Sequence, residues 1–138
     1  MKTNRPILLV EDDEVDAMSV ERALKDINVT NALQIAKDGE AALAHLRQPG
    51  LVRPCLILLD LNMPRMDGIE FLRVFKKDER MRRIPVVVLT SSSEEQDRAE
   101  SFDLGVAGYM LKPVKYRQFV DVIKTIDMYW TLSELPPD

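Results

Sequence analysis

The chain has 138 residues, 46% of them hydrophobic and 30% charged, with 19 basic against 23 acidic side chains and a net charge of −4. That length fits one domain of common size, which can bury an adequate core without disulfides or a structural metal. A mild acidic balance argues against a general nucleic-acid binder. A single cysteine, Cys55, cannot form an intramolecular disulfide and reads as a buried thiol in a reducing compartment. The apolar runs are four residues long, far below a bilayer span, and the first ten residues carry no signal-peptide pattern, so the expected location is cytoplasmic.

In chain order, Ile7-Leu8-Leu9-Val10, Leu56-Ile57-Leu58-Leu59 and Val86-Val87-Val88-Leu89 are continuous rather than alternating. Strands buried on both faces, as in a parallel sheet covered by helices, need that pattern. Residues 32–36 and 108–111 are weaker strand candidates. Between them lie helical stripes: Ala17, Val20, Leu24 and Ile27; Ala42, Leu43 and Leu46; Ile69, Leu72 and Phe75; Ala99, Phe102 and Leu104; and Phe119, Ile123, Ile126 and Trp130. Ser93 with Gln96 suggests a capping box for the fourth helix, and Gly105 its stop. Gln48 to Pro54 reads as a loop. His45, the only histidine, is expected on exposed helix surface. Five alternations of strand and helix predict an α/β doubly wound sheet with helices on both faces.

In such sheets ligands bind outside the carboxyl ends of the strands. The residues just after each apolar run therefore carry the chemistry. They are Glu11, Asp12 and Asp13 after the first run, Asp60 after the third strand, Thr90 and Ser91 after the fourth, and Lys112 after the fifth. Glu11, Asp12 and Asp60 would converge, and close carboxylates call for a hard divalent ion such as Mg²⁺. Asp13 and Glu14 also suit a helix start, where negative charge meets the dipole. Asp60 as nucleophile, Mg²⁺ on Asp12, Lys112 as a cation and Thr90 as a donor form a phosphoryl-accepting site.

Leu8 to Asp13, Leu59 to Gly68, Val88 to Ser91 and Leu111-Lys112-Pro113 together resemble the signatures of response-regulator receiver domains, in that family's order and spacing. The resemblance covers about residues 5–128. It implies a flavodoxin-like five-stranded parallel sheet of order 2-1-3-4-5, the order of the chemotaxis receiver. It implies Asp60 as phosphoacceptor and Asp12 as direct Mg²⁺ ligand. Glu11 becomes the more distant acidic partner, and Asn62 supplies a backbone carbonyl to the metal. Thr90 becomes the switch hydroxyl, Lys112 the phosphate-contacting lysine and Tyr109 the aromatic switch. It further implies a cis Lys112–Pro113 bond. Positions 62 and 92, here Asn62 and Ser92, flank the phosphate in that family.

The function implied is a switch module rather than an enzyme: a receiver over residues 1–130, a tail over 131–138 and no output domain. It takes a phosphoryl group from a separate sensor histidine kinase and acts through altered protein contacts, phosphorelay transfer (as shuttle or phosphate sink) or self-association as a homodimer. The 48–54 loop and the end Met128 to Leu132 with Leu135-Pro136-Pro137 are similar to stand-alone receivers that partner phytochrome-type kinases. Tyr109, Tyr116, Phe119 and Trp130 are interface candidates, each equally readable as core. Neither nucleic acid nor membrane is an expected partner. A haloacid-dehalogenase-type phosphatase is the rival enzyme reading; it needs an acid where Asn62 stands, and that amide cannot transfer the proton. A flavin site is opposed by the charge of Glu11, Asp12 and Asp13. A calcium loop from Asp12 to Ala23 lacks its glycine and glutamate.

Overall fold

Strand and helix alternate throughout the computed structural model, which describes residues 3–133. The order is β1 (Ile7–Val10), α1 (Glu14–Asp26), β2 (Leu33–Ala36), α2 (Gly39–Leu46), β3 (Leu56–Leu59), α3 (Gly68–Lys77), a 3₁₀ turn (Met81–Arg83), β4 (Val86–Thr90), α4 (Glu95–Asp103), β5 (Gly108–Leu111) and α5 (Tyr116–Leu132). The strands form one sheet of order β2-β1-β3-β4-β5, all neighbours parallel. This is the doubly wound, flavodoxin-like arrangement expected from the sequence. Among the described residues, no helix is long and apolar enough to cross a membrane.

The continuous apolar runs occupy the positions buried on both sides. Ile7 to Val10 and Leu56 to Leu59 are each at most 2% exposed. Their side chains alternate between two cores. Ile7, Leu9, Leu56, Leu58, Val87 and Leu89 face α1 and α5. Leu8, Val10, Ile57, Leu59, Val86 and Val88 face α2 and α3. On α5 the stripe Phe119, Ile123, Ile126 and Trp130 is buried against the first core. Phe119 and Trp130 are only 5% and 7% exposed, so as interface candidates they are corrected to core: their rings are used up by sheet packing. Helix α5 continues past residue 130 to Leu132. The Leu135-Pro136-Pro137 segment lies outside the described residues.

Helix α4 differs from expectation. Ala99 is exposed and Phe102 is 49% exposed, and Ser101 is the helix's one buried residue. Exposed polar links join it to α3: Arg73 donates to Glu100, and Lys76 Nζ donates to the Asp103 carbonyl at 2.9 Å, while Leu104 at its C-cap packs on the α2–α3 core. The Ser93–Gln96 capping box is absent, and Glu94 occupies the N-cap without a side-chain bond. Ser92 does that local work, its hydroxyl donating to Asp97 at 2.6 Å. His45 is half-buried rather than free surface, 2.8 Å from Gln34 Oε1.

Candidate functional site: an acidic cleft at the strand ends

Parallel pairing puts the ends of β1, β3, β4 and β5 on one edge. The Asp60 amide donates to the Val10 carbonyl at 3.0 Å, and the Lys112 amide donates to Thr90 at 2.8 Å. The ladders thus run one residue beyond the strands and fix the backbone that carries Glu11, Asp60 and Lys112. Glu11, Asp60 and Thr90 are 3%, 5% and 0% exposed, whereas Asp12 is exposed at the rim. Each of Glu11, Asp12 and Asp60 offers a carboxylate oxygen within 4.8 Å of the others. Asp12 also lines an open cleft of about 380 Å³ with Leu61, Asn62, Met63, Pro64 and Asp67.

Lys112 is the cation of this cluster. Its ammonium donates to Glu11 and, at 2.8 Å, to Asp16, and lies 3.5 Å from Asp60 Oδ2. Burial acts to lower the Lys112 pKa, but bonds to Asp16 and Glu11 outweigh it and the net shift is upward. Glu11 moves the other way in charge: burial pushes its carboxyl up to about 7, against the opposing pull of Lys112. Asp60 Oδ1 is buried and has no hydrogen-bond partner. A buried orphaned carboxylate oxygen is costly unless a ligand completes it. An all-oxygen donor set around that atom fits a hard divalent cation such as Mg²⁺.

The hydroxyl side is built by β4 and β5. Thr90 Oγ1 accepts from the Ser92 amide at 3.3 Å. Tyr109 is half-buried against the α2–α3 core, and its hydroxyl donates to the Ser92 carbonyl at 2.8 Å. Ser92 therefore links Thr90, Tyr109 and Asp97 of α4. Tyr116 is partly exposed and donates to Asp26 at 2.7 Å, with Arg22 over its ring. The Lys112–Pro113 bond is trans, correcting the cis form implied by the resemblance; trans is the lower-energy state of an ordinary X–Pro bond. Asp16 was not anticipated as a site residue. It lies in the first turn of α1, where Asp13 caps the helix by accepting from the Asp16 amide. The Asp16 carboxylate accepts from Lys112 at 2.8 Å, a pairing with the end of β5 that local pattern does not announce.

A family model for the response regulator receiver domain matches residues 7–124. The chain is 39% identical over 127 residues to the probable methanogenesis regulatory protein FilR2 of Methanothrix harundinacea, covering 90% of this chain and 82% of that one. It is 41% identical over 128 residues to the response regulator Rcp1 of Synechocystis, covering 90% and 87%. A structure of Rcp1 in its Mn²⁺-bound form superposes with TM-score 0.86 at 39% identity, covering 97% and 99%. The phosphorylated cyanobacterial phytochrome response regulator RcpA superposes with TM-score 0.89 at 38% identity, covering 99% and 100%. With the sheet order, the acidic strand edge and these matches in agreement, the chain belongs to the response regulator receiver domain family of two-component signalling.

Proposed function

We propose that Asp60 accepts a phosphoryl group from a phosphohistidine on a separate sensor kinase. One observation carries the reading: Asp60 Oδ1 is buried and unpartnered in a carboxylate cluster with Glu11 and Asp12, while Lys112 lies 3.5 Å from Oδ2. An Asp60 oxygen bonds to phosphorus as the P–N bond breaks, and the electron pair returns to the donor imidazole. Glu11, Asp12, Asp60 and the Asn62 carbonyl would hold Mg²⁺. Bound there, the ion neutralises charge developing on the phosphoryl oxygens. Lys112 adds a second positive contact, shifting from Asp16 toward those oxygens. Thr90 donates its hydroxyl to another of them, which gives up the Ser92 amide.

Ser92 connects that movement to output. Its carbonyl holds Tyr109 and its hydroxyl holds Asp97, so a shift of Thr90 loosens both. Phosphorylation thereby biases a two-state arrangement of α4 and β5. Phe102 and Leu111, each 49% exposed on those elements, then offer apolar contact area to a protein target or a second copy. The likeness to RcpA, a cyanobacterial phytochrome response regulator, favours a phytochrome-type kinase as donor. Incubation with acetyl phosphate and Mg²⁺ is expected to add one phosphoryl group by intact mass. Asp60→Asn abolishes the addition. Equal labelling of that variant overturns the assignment.

A further inference from the structure

We infer that the turn between β2 and α2 is a clamp on the metal-binding loop, with Asp38, Gly39 and Arg65 as positioning residues for the cation site. The inference rests on the metal reading proposed above. The loop in question joins β3 to α3 and carries Asn62, whose backbone carbonyl the metal reading assigns to the ion. Its near end is pinned by Gly68, whose amide donates to the Leu61 carbonyl at 3.0 Å. Its far end is pinned from another part of the chain. The Gly39 amide donates to the Met66 carbonyl at 2.9 Å.

That second contact tolerates only glycine. A Cβ on residue 39 would lie 2.6 Å from Met66 Cγ and 2.9 Å from the Met66 carbonyl oxygen. Backbone meets backbone there because no side chain intervenes. The neighbouring Asp38 is 5% exposed, an unusual place for a carboxylate. One oxygen caps α2 by accepting from the Ala41 amide at 2.8 Å. The other lies 3.7 Å from the Arg65 guanidinium. Arg65 itself has φ +63, the left-handed region that a non-glycine residue occupies only when its surroundings hold it.

Two links therefore bear on adjacent residues of one loop, an amide–carbonyl bond at Met66 and an ion pair at Arg65, around the left-handed backbone of Arg65. Between the two pinned ends remain residues 62–64, which with Asp12 line the acidic cleft. The turn after β2 touches none of the metal-binding atoms. It sets the position of the loop that supplies one of them, which is how residues outside the ligand set tune affinity.

Mn²⁺ binding followed by electron paramagnetic resonance tests this without phosphorylation chemistry. Gly39→Ala is expected to weaken Mn²⁺ binding about tenfold. Arg65→Ala, at a side chain 73% exposed, leaves the core untouched and is expected to weaken binding about threefold, with Arg65→Lys restoring most of it. Asp78→Ala serves as the stability control: it removes acceptors for the Arg80 and Met81 amides at the opposite end of the sheet and is expected to lower the melting temperature with unchanged Mn²⁺ affinity. Parent-like affinity in both Gly39→Ala and Arg65→Ala overturns the clamp. Failure of the parent protein itself to bind Mn²⁺ overturns the metal reading instead.

Discussion

Replacing Lys112 with methionine removes the charge while keeping an apolar stem of similar length. The Lys112 side chain is 11% exposed, and its partners Glu11 and Asp60 are 2% and 7% exposed. Those two carboxylates are left buried with no cation between them. Breaking a buried ion cluster from one side costs about 3–5 kcal/mol. For a domain of this size that corresponds to a fall in melting temperature of roughly 10–20 °C. Asp16 contributes little of this, because its side chain is 41% exposed and rehydrates. Glu11, whose carboxyl burial already holds at about 7, loses the opposing pull of Lys112 and binds its proton more tightly folded than unfolded, in a window reaching up from its unfolded value to above 7. Stability therefore falls as pH rises through that window, and the deficit is larger at pH 8 than at pH 6. Mg²⁺ supplies the missing positive charge, adding about 2.7 kcal/mol at a hundredfold excess over its dissociation constant. The parent, already neutralised by Lys112, gains less. Urea unfolding followed by the fluorescence of buried Trp130, with chelator or with Mg²⁺, reads both effects. A variant within about 0.5 kcal/mol of the parent in chelator refutes the view that Lys112 balances the buried acids.

Glu11 links pH to metal binding. With burial holding its carboxyl at about 7, a proton competes with the cation below neutrality. Apparent Mg²⁺ affinity is expected to rise roughly tenfold from pH 6 to pH 8, measured by NMR titration, and to flatten in Glu11→Gln; a flat parent profile contradicts it. Tyr109→Phe removes the hydroxyl that donates to the Ser92 carbonyl. The expected cost is about 1 kcal/mol, with faster amide exchange across residues 91–94. Unchanged exchange there means that the tyrosine does not hold the loop.

The readable and unreadable parts of this chain divide along a physical line. The runs at β1, β3 and β4 are legible because burial on two faces demands uninterrupted apolar residues, and nothing else in a short segment does. Sheet topology then places whatever follows each run on one edge, so Glu11, Asp60, Thr90 and Lys112 could be named before their geometry was known. Helix α4 defeats the same logic. Its apolar residues Ala99 and Phe102 face solvent, while surface links from Arg73 to Glu100 and from Lys76 to the Asp103 carbonyl join it to α3. Periodicity reports a burial face only when burial is what holds the helix. The aromatic residues Phe119 and Trp130 show the converse, since a stripe at helical spacing outweighs any separate reading of each ring as a contact.

Asp16, Asp38 and Gly39 were illegible for a different reason. Each acts across loops that are far apart in the chain: Asp16 on Lys112, Asp38 on Arg65, Gly39 on Met66. Local pattern carries no term for such contacts. Asp38 and Gly39 read as an ordinary helix start, which they also are. The second use appears only in the burial of a carboxylate that a cap alone would leave exposed. A buried acid at a helix N-cap, next to a glycine with no space for a Cβ, is thus a structural sign that a second loop is being positioned. Here that loop carries residues of the proposed phosphorylation site, so the constraint on the β2–α2 turn and the chemistry at Asp60 are one design problem.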